Sequence, residues 1–266
     1  MYLHFFHLKE EPFTMTPDPR FLFLSHQHEA AIASLSYGVS NRKGFMTLTG
    51  EIGTGKTTIC RELMNHLDPH VEIAVVLNPL LSVPGLLRAI NRDFGNETKG
   101  TTAEDELEGL NRFLLNRINE GHNAVVLIDE AQNLSIEALE MTRLLSNLET
   151  EKQKLLQIIL VGQPELMDKL KLSSLRQLNQ RVAVRYHVLP LEAREVERYI
   201  HHRLKIGGAN GNLLFTPAAL EKIYRHSQGT PRLVNIICDR ALLAGFVAET
   251  FTIDENIINQ CIEELT

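Results

Sequence analysis

Three cysteines in 266 residues, Cys60, Cys238 and Cys261, are too few and too scattered to staple a fold. No Cys-x-x-Cys pair exists to frame a structural zinc, so all three read as ordinary buried thiols. No uninterrupted apolar run approaches the ~20 residues that a membrane helix needs. The opening, Met1 to Lys9, lacks the charged-then-apolar layout of a secretory signal. Positive charge is also short: 27 basic against 33 acidic residues leave a net −6, which is no basic footprint for nucleic acid or anionic lipid. There is no internal repeat, no low-complexity tract and no Gly-x-Ser-x-Gly elbow of a serine hydrolase. His26 with His28, and His201 with His202, have no carboxylate or cysteine at ligand spacing and are expected at the surface.

What is present is an apolar share of 44%, enough to build a core, and a pattern that changes near Leu189-Pro190-Leu191. Before that point, strand-length apolar runs alternate with helical stretches. Strands are expected at Gly44–Thr49, Val71–Leu77, Asn123–Ile128, Leu156–Val161 and Arg181–Val188. Four are nearly continuous apolar runs rich in Val, Ile and Leu, as in strands covered on both faces; the fifth alternates and suits an edge. Helices are expected at Thr57–His66, Val83–Phe94, Ala103–Glu120 and Ser135–Leu148, and the alternation implies a parallel sheet. After the boundary everything reads as helix: Glu192–Gly207, Ala218–His226 behind Thr216-Pro217, Arg232–Ala248 opened by Pro231, and Ile253–Leu265 behind a Thr252/Glu255 capping box. The division is into residues 1–190 and 191–266. Residues 191–266 hold 8 basic and 10 acidic side chains and residues 1–190 the other 19 and 23, so the stretches are −2 and −4 and neither is a basic tail.

Gly50-Glu51-Ile52-Gly53-Thr54-Gly55-Lys56-Thr57, followed by Thr58, fits the phosphate-loop pattern G-x-x-x-x-G-K-[ST], between an expected strand and an amphipathic helix. Glycines let backbone N–H groups turn inward around an anion, and the helix adds the positive end of its dipole. Lys56 is expected to reach the β- and γ-phosphates of a nucleotide, and the Thr57 hydroxyl to bind Mg²⁺. The strand Ala124–Ile128 ends in Asp129-Glu130. Asp129 suits the metal side opposite Thr57, and Glu130 suits the water that attacks the γ-phosphate.

Together with Asp129-Glu130-Ala131-Gln132 and the helical C-terminal part, the phosphate loop resembles that of AAA+ ATPases. The opening sharpens the resemblance: Tyr2-Leu3-His4-Phe5-Phe6, Pro12-Phe13 and Thr16-Pro17-Asp18-Pro19-Arg20-Phe21-Leu22-Phe23-Leu24 look like the A-component ATPases of bacterial general secretion and related pilus-assembly systems. The likeness covers nearly the whole chain. It implies a three-layer α/β/α core with a five-stranded parallel sheet of order 5-1-4-3-2 and a C-terminal helical lid. It also implies ATP and Mg²⁺ as ligands and an ATPase working in assembly of an envelope secretion or pilus system.

By the same resemblance, Gln163 at the end of the fourth strand is a "sensor 1" that orients the water. Arg232, in Gly229-Thr230-Pro231-Arg232, is a "sensor 2" over the γ-phosphate. Arg181, or less favourably Arg176, is an arginine finger reaching a neighbour's nucleotide. Asn78 is a candidate glutamate switch, and backbone near Pro12-Phe13 a contact to the base. The aromatics Phe5, Phe6, Phe13, Phe21 and Phe23 are expected to pack rather than stack on a base. The implied partners are further copies of the chain, with a hexameric ring as one form, and an envelope-assembly protein. The implied location is cytoplasmic, with any inner-membrane tether supplied by a partner or by sequence beyond Thr266. Longer family members continue into a membrane segment and a peptidoglycan-binding domain, so the resemblance implies a short member or a truncated one. Two rivals share the motifs: a DNA-associated regulator of the transposition target-selection type, disfavoured by the charge, and a nucleotide-switched binding module.

Overall fold

Valine, isoleucine and leucine dominate three of the five short runs that the computed structural model, which describes residues 1–15, 18–77, 79–98, 102–151 and 153–265, shows as strands of one sheet. The strands are β1 (Phe45–Gly50), β2 (Val71–Val76), β3 (Asn123–Ile128), β4 (Gln157–Gly162) and β5 (Val182–Val188). All pairings are parallel and the order is β2-β3-β4-β1-β5, the expected 5-1-4-3-2 viewed from its other edge. Both faces are covered. Along β3, Ala124, Val126 and Ile128 are buried on one face and Val125 and Leu127 on the other. The edge strand β5 alternates half-buried Val182, Val184 and Tyr186 with exposed Ala183, Arg185 and His187, as its sequence pattern requires.

Helices between the strands form the outer layers: α2 (His26–Ser40), α3 (Lys56–His66), α4 (Val83–Asp93), α5 (Ala103–Asn119), α6 (Ile136–Leu145), α7 (Pro164–Leu170) and the short α8 (Arg176–Arg181), with α1 (Tyr2–Phe5) near the start. Ser82, Thr102 and Ser135 cap α4, α5 and α6 by accepting backbone N–H groups. Leu86, Leu87 and Ile90 of α4 and Leu110 and Leu114 of α5 close one core with the β2, β3 and β4 side chains. Helix α2 has no counterpart among the helices expected from the sequence.

The last part contains α9 (Ala193–Ile206), α10 (Pro217–Ser227), α11 (Pro231–Val247) and α12 (Glu255–Glu263). It is not purely helical: β6 (Leu214–Phe215) and β7 (Thr252–Ile253) pair in parallel. Thr252 therefore lies in a strand, and the expected Thr252/Glu255 capping box is replaced by Asp254, whose carboxylate accepts the Ile257 N–H at 3.0 Å. Asp254 is the better cap because Thr252 already gives its backbone to β7.

Two compact units result: Met1–Gln27 with Ile52–Thr58 and Leu189–Thr266, and His28–Glu51 with Ile59–Val188. The sequence boundary near residue 190 coincides with one break, but the N-terminal segment groups with the C-terminal helices. The reason is apolar packing. Phe6, Leu8 and Phe13 are buried in the same core as Tyr199, Ile200, Ile237 and Leu242, and Phe5 stacks on Phe251 with centroids 4.8 Å apart. The N-terminal aromatics are thus packing groups. Arg203, only 7% exposed, ties the segment down through its guanidinium, which donates to the Pro12 carbonyl, to the Thr14 carbonyl at 3.1 Å and to the Tyr199 hydroxyl at 2.9 Å. The three cysteines are buried thiols, none in a disulfide. His28, expected at the surface, is buried because it falls on the inner face of α2 with Ala31, Ile32 and Leu35. Among the described residues no group of three His, Cys, Asp or Glu side chains is arranged to hold a metal ion.

Candidate functional site

Parallel strands end on the same edge of a sheet, and that edge is where α/β folds hold ligands. Here β4 lies between β1 and β3, with Thr49 beside Gly162 and Ile128 beside Leu160. The residues at these ends, Gly50 closing β1 with Glu51 after it, Asp129 after β3 and Gln163 after β4, therefore emerge side by side. Gln163 takes the position between the other two strands that the resemblance implied.

Asp129 is 6% exposed; its N–H continues the ladder to the Val76 carbonyl at 2.9 Å, and its Oδ1 accepts the Glu130 N–H at 2.9 Å. Glu130 is half-buried in a left-handed conformation, φ 50° and ψ 37°, which costs a side-chain-bearing residue roughly 1–2 kcal/mol. Its Oε2 accepts the Gln132 amide at 2.6 Å and the Gln163 amide at 3.3 Å. In the sequence, Gln132 is only the last residue of Asp129-Glu130-Ala131-Gln132. Its contact depends on the neighbouring strand end, which residue spacing does not reveal.

In the other unit, Ile52–Thr58 turns through Gly53 (φ 82°) and Gly55 (φ 95°) and enters α3 at Lys56. Ile52 and Thr57 are exposed, Gly53, Gly55 and Thr58 half-buried, and Thr54 and Lys56 buried, Lys56 to 7%. A lysine ammonium held this far from water at a helix start requires polar company, and all these features suit an anion cradle. Gly53 has a second reason to be glycine: a Cβ there would stand 2.6 Å from the Cβ of Arg232 and 3.3 Å from the Thr230 methyl. Arg232, exposed at the start of α11, is thereby placed against the phosphate loop. Pro12, whose backbone the resemblance directs to the base, gives its carbonyl to Arg203.

Arg176 opens α8 and Arg181 ends it, both exposed; the Arg181 guanidinium donates to the Asn147 side-chain carbonyl. Asn78, Thr16 and Pro17 lie outside the described residues.

Comparison with known proteins bears on the family and the fold. An AAA domain family model matches residues 39–170. The fold, the phosphate loop and the matched domain place this chain in the AAA+ ATPases, to which it belongs. Its sequence is similar to General secretion pathway protein A of Aeromonas hydrophila, 47% identical over 247 residues, covering 92% of this chain and 45% of that protein. The chain thus spans less than half the length of that relative. Its fold is similar to the Aeropyrum pernix ORC2 protein in ADPNP–ADP complexes, with a TM-score of 0.68 and 18% identity over 97% of this chain and 72% of that one. It is likewise similar to the Drosophila ORC bound to DNA, with a TM-score of 0.69 and 18% identity over 99% and 65% of the two chains. Among the described residues no helix is long and apolar enough to cross a membrane.

Proposed function

We propose that the chain binds ATP with Mg²⁺ and hydrolyses it to drive or regulate assembly of a bacterial secretion or pilus system. The observation that carries the chemistry is the adjacency of the β1, β4 and β3 ends, which gathers Gly50, Gln163, Asp129 and Glu130 at one sheet edge. In this reading the N–H groups of Gly50–Thr58 cradle the phosphates and Lys56 neutralises the β- and γ-oxygens. A divalent cation on Thr57 and Asp129 would supply charge neutralisation as the γ-phosphoryl group departs. Glu130 accepts the proton of the attacking water, Gln163 orients that water, and Arg232 reads the γ-phosphate. Arg181, with Arg176 as its alternative, acts on the nucleotide of the next subunit in an ATP-dependent homo-oligomer. Residues 1–190 serve as the ATPase core and 191–266 as its lid, in the cytoplasm beside an envelope-assembly partner. The secretion assignment rests on likeness to General secretion pathway protein A.

Glu130→Gln should keep nucleotide binding and lose about 100-fold or more in turnover, while Lys56→Ala should lose binding itself. Undiminished hydrolysis by Glu130→Gln would remove Glu130 from its role. Mixing Arg181→Ala with Lys56→Ala subunits should restore activity if the finger acts between copies, and size measurement with and without ATP tests the oligomer. The rival, a DNA-associated regulator, draws on the fold likeness to ORC bound to DNA. The −6 charge weighs against it, and an ATP-dependent, salt-sensitive shift of double-stranded DNA would favour it.

A further inference from the structure

We propose that Gln132 is the positioning residue that sets the direction of the Glu130 carboxylate; this deepens the reading of Glu130 as the base and rests on it. Both ends of the Gln132 amide are used. Its Nε2 donates to Glu130 Oε2 at 2.6 Å, and its Oε1 accepts the Gln163 backbone N–H at 3.1 Å. One neighbour only accepts and the other only donates, so a single orientation of the amide satisfies both. The Gln163 side chain adds a second donor to the same Glu130 oxygen, at 3.3 Å.

The surroundings are built for this bridge. Gly162 leaves the room it needs: a Cβ there would lie 2.7 Å from Gln132 Oε1 and 3.4 Å from the Gln132 nitrogen. Lys169 holds the turn beneath it, donating from Nζ to the carbonyls of Gln132 at 2.9 Å and Leu134 at 2.6 Å. Residues 131–133 form one 3₁₀ turn, so Gln132 cannot drift relative to Glu130. Two donors on one carboxylate oxygen determine where the other oxygen lies. A general base must meet its water within about 3 Å, so that direction is a catalytic variable. The bridge also ties the end of β3 to the end of β4. A change in the position of Gln163 would therefore reach Glu130 through Gln132.

The test compares Gln132→Leu, which keeps the bulk and removes the amide, with Glu130→Gln and the double variant. Gln132→Met, longer and flexible, carries the same test if the leucine variant is poorly folded. The expected result is a kcat lowered about tenfold or more with ATP affinity and thermal melting unchanged, and no further loss when Gln132→Leu is added to Glu130→Gln. Wild-type kcat in Gln132→Leu overturns the proposal. So does a parallel loss of ATP affinity, or a loss that adds fully to that of Glu130→Gln, since either marks a merely structural role. If Glu130→Gln itself turns over normally, the base assignment falls and the positioning role with it. If Glu130→Gln is inactive while Gln132→Leu is normal, only the positioning role falls.

Discussion

Away from the strand ends, the sheet unit buries an acid and the helical unit buries a base. Glu106 on α5 is 1% exposed and collects side-chain donors: Thr98 at 2.6 Å, Asn91 at 2.9 Å and Arg88 at 3.0 Å. Arg203 on α9 collects acceptors instead: the carbonyls of Pro12 and Thr14 and the Tyr199 hydroxyl, with the Phe21 ring 5.0 Å below its guanidinium. The acid fastens one regular helix and its exit turn to another, where side chains reach it at helical spacing. The base fastens a stretch with little regular structure, whose carbonyls have no ladder to satisfy them. A guanidinium presents several in-plane donors and can serve carbonyls at irregular spacing; a carboxylate has none to offer. The choice of buried charge follows what each unit has to hold.

Arg203→Ala offers the largest effect: it strips donors from two carbonyls and a hydroxyl, a loss of about 3–4 kcal/mol by chemical denaturation. Hydrogen exchange should rise first at residues 12–14 and along α9; equal loss of protection in the sheet unit would break the contrast. Glu106→Ala should cost about 2–3 kcal/mol, with exchange rising at α4 and α5 and not in the helical unit.

Acid should sharpen the comparison. Burial raises the Glu106 carboxyl, but the Thr98, Arg88 and Asn91 donors outweigh it and hold the group below the usual carboxylate range. A lowered folded value means that its stabilisation is complete above the unfolded value of about 4.3 and is lost as pH falls through the folded one. The Tm advantage of the wild type over Glu106→Gln should therefore be widest near neutral pH and close on acidification. Gly53→Ala should have the smallest effect on stability, about 2 kcal/mol, from its positive φ and from the shift that a Cβ 2.6 Å from that of Arg232 forces. Its contact with Arg232 predicts a larger fall in ATP affinity, and unaltered affinity would separate Arg232 from the loop.

The sheet was legible because buried parallel strands are continuous apolar runs, and Asp129-Glu130 was legible because it closes one of them. Helix α2 escaped notice because its buried face mixes His28 and Gly38 with Ala31, Ile32, Leu35 and Val39, which blurs the apolar stripe. The two-residue strands β6 and β7 are too short to show a period, and Thr252–Glu255 imitates a capping box well enough to mislead. Gln132 was invisible for a different reason: one of its partners is the backbone N–H just beyond the end of another strand, reached only because Gly162 has no Cβ. Strands read from continuous apolar runs survive into three dimensions; contacts that depend on an absent atom across the sheet do not appear in any window of sequence.

With Glu130 as the proposed base, its left-handed backbone sets stability and activity against each other at a single residue. Asparagine or glycine relieves that conformation, and either removes the carboxylate where it is needed. A collection of variants chosen only for resistance to heat would accumulate such replacements and drift toward well-folded, inert protein. Directed evolution of this chain must therefore screen for turnover at every round.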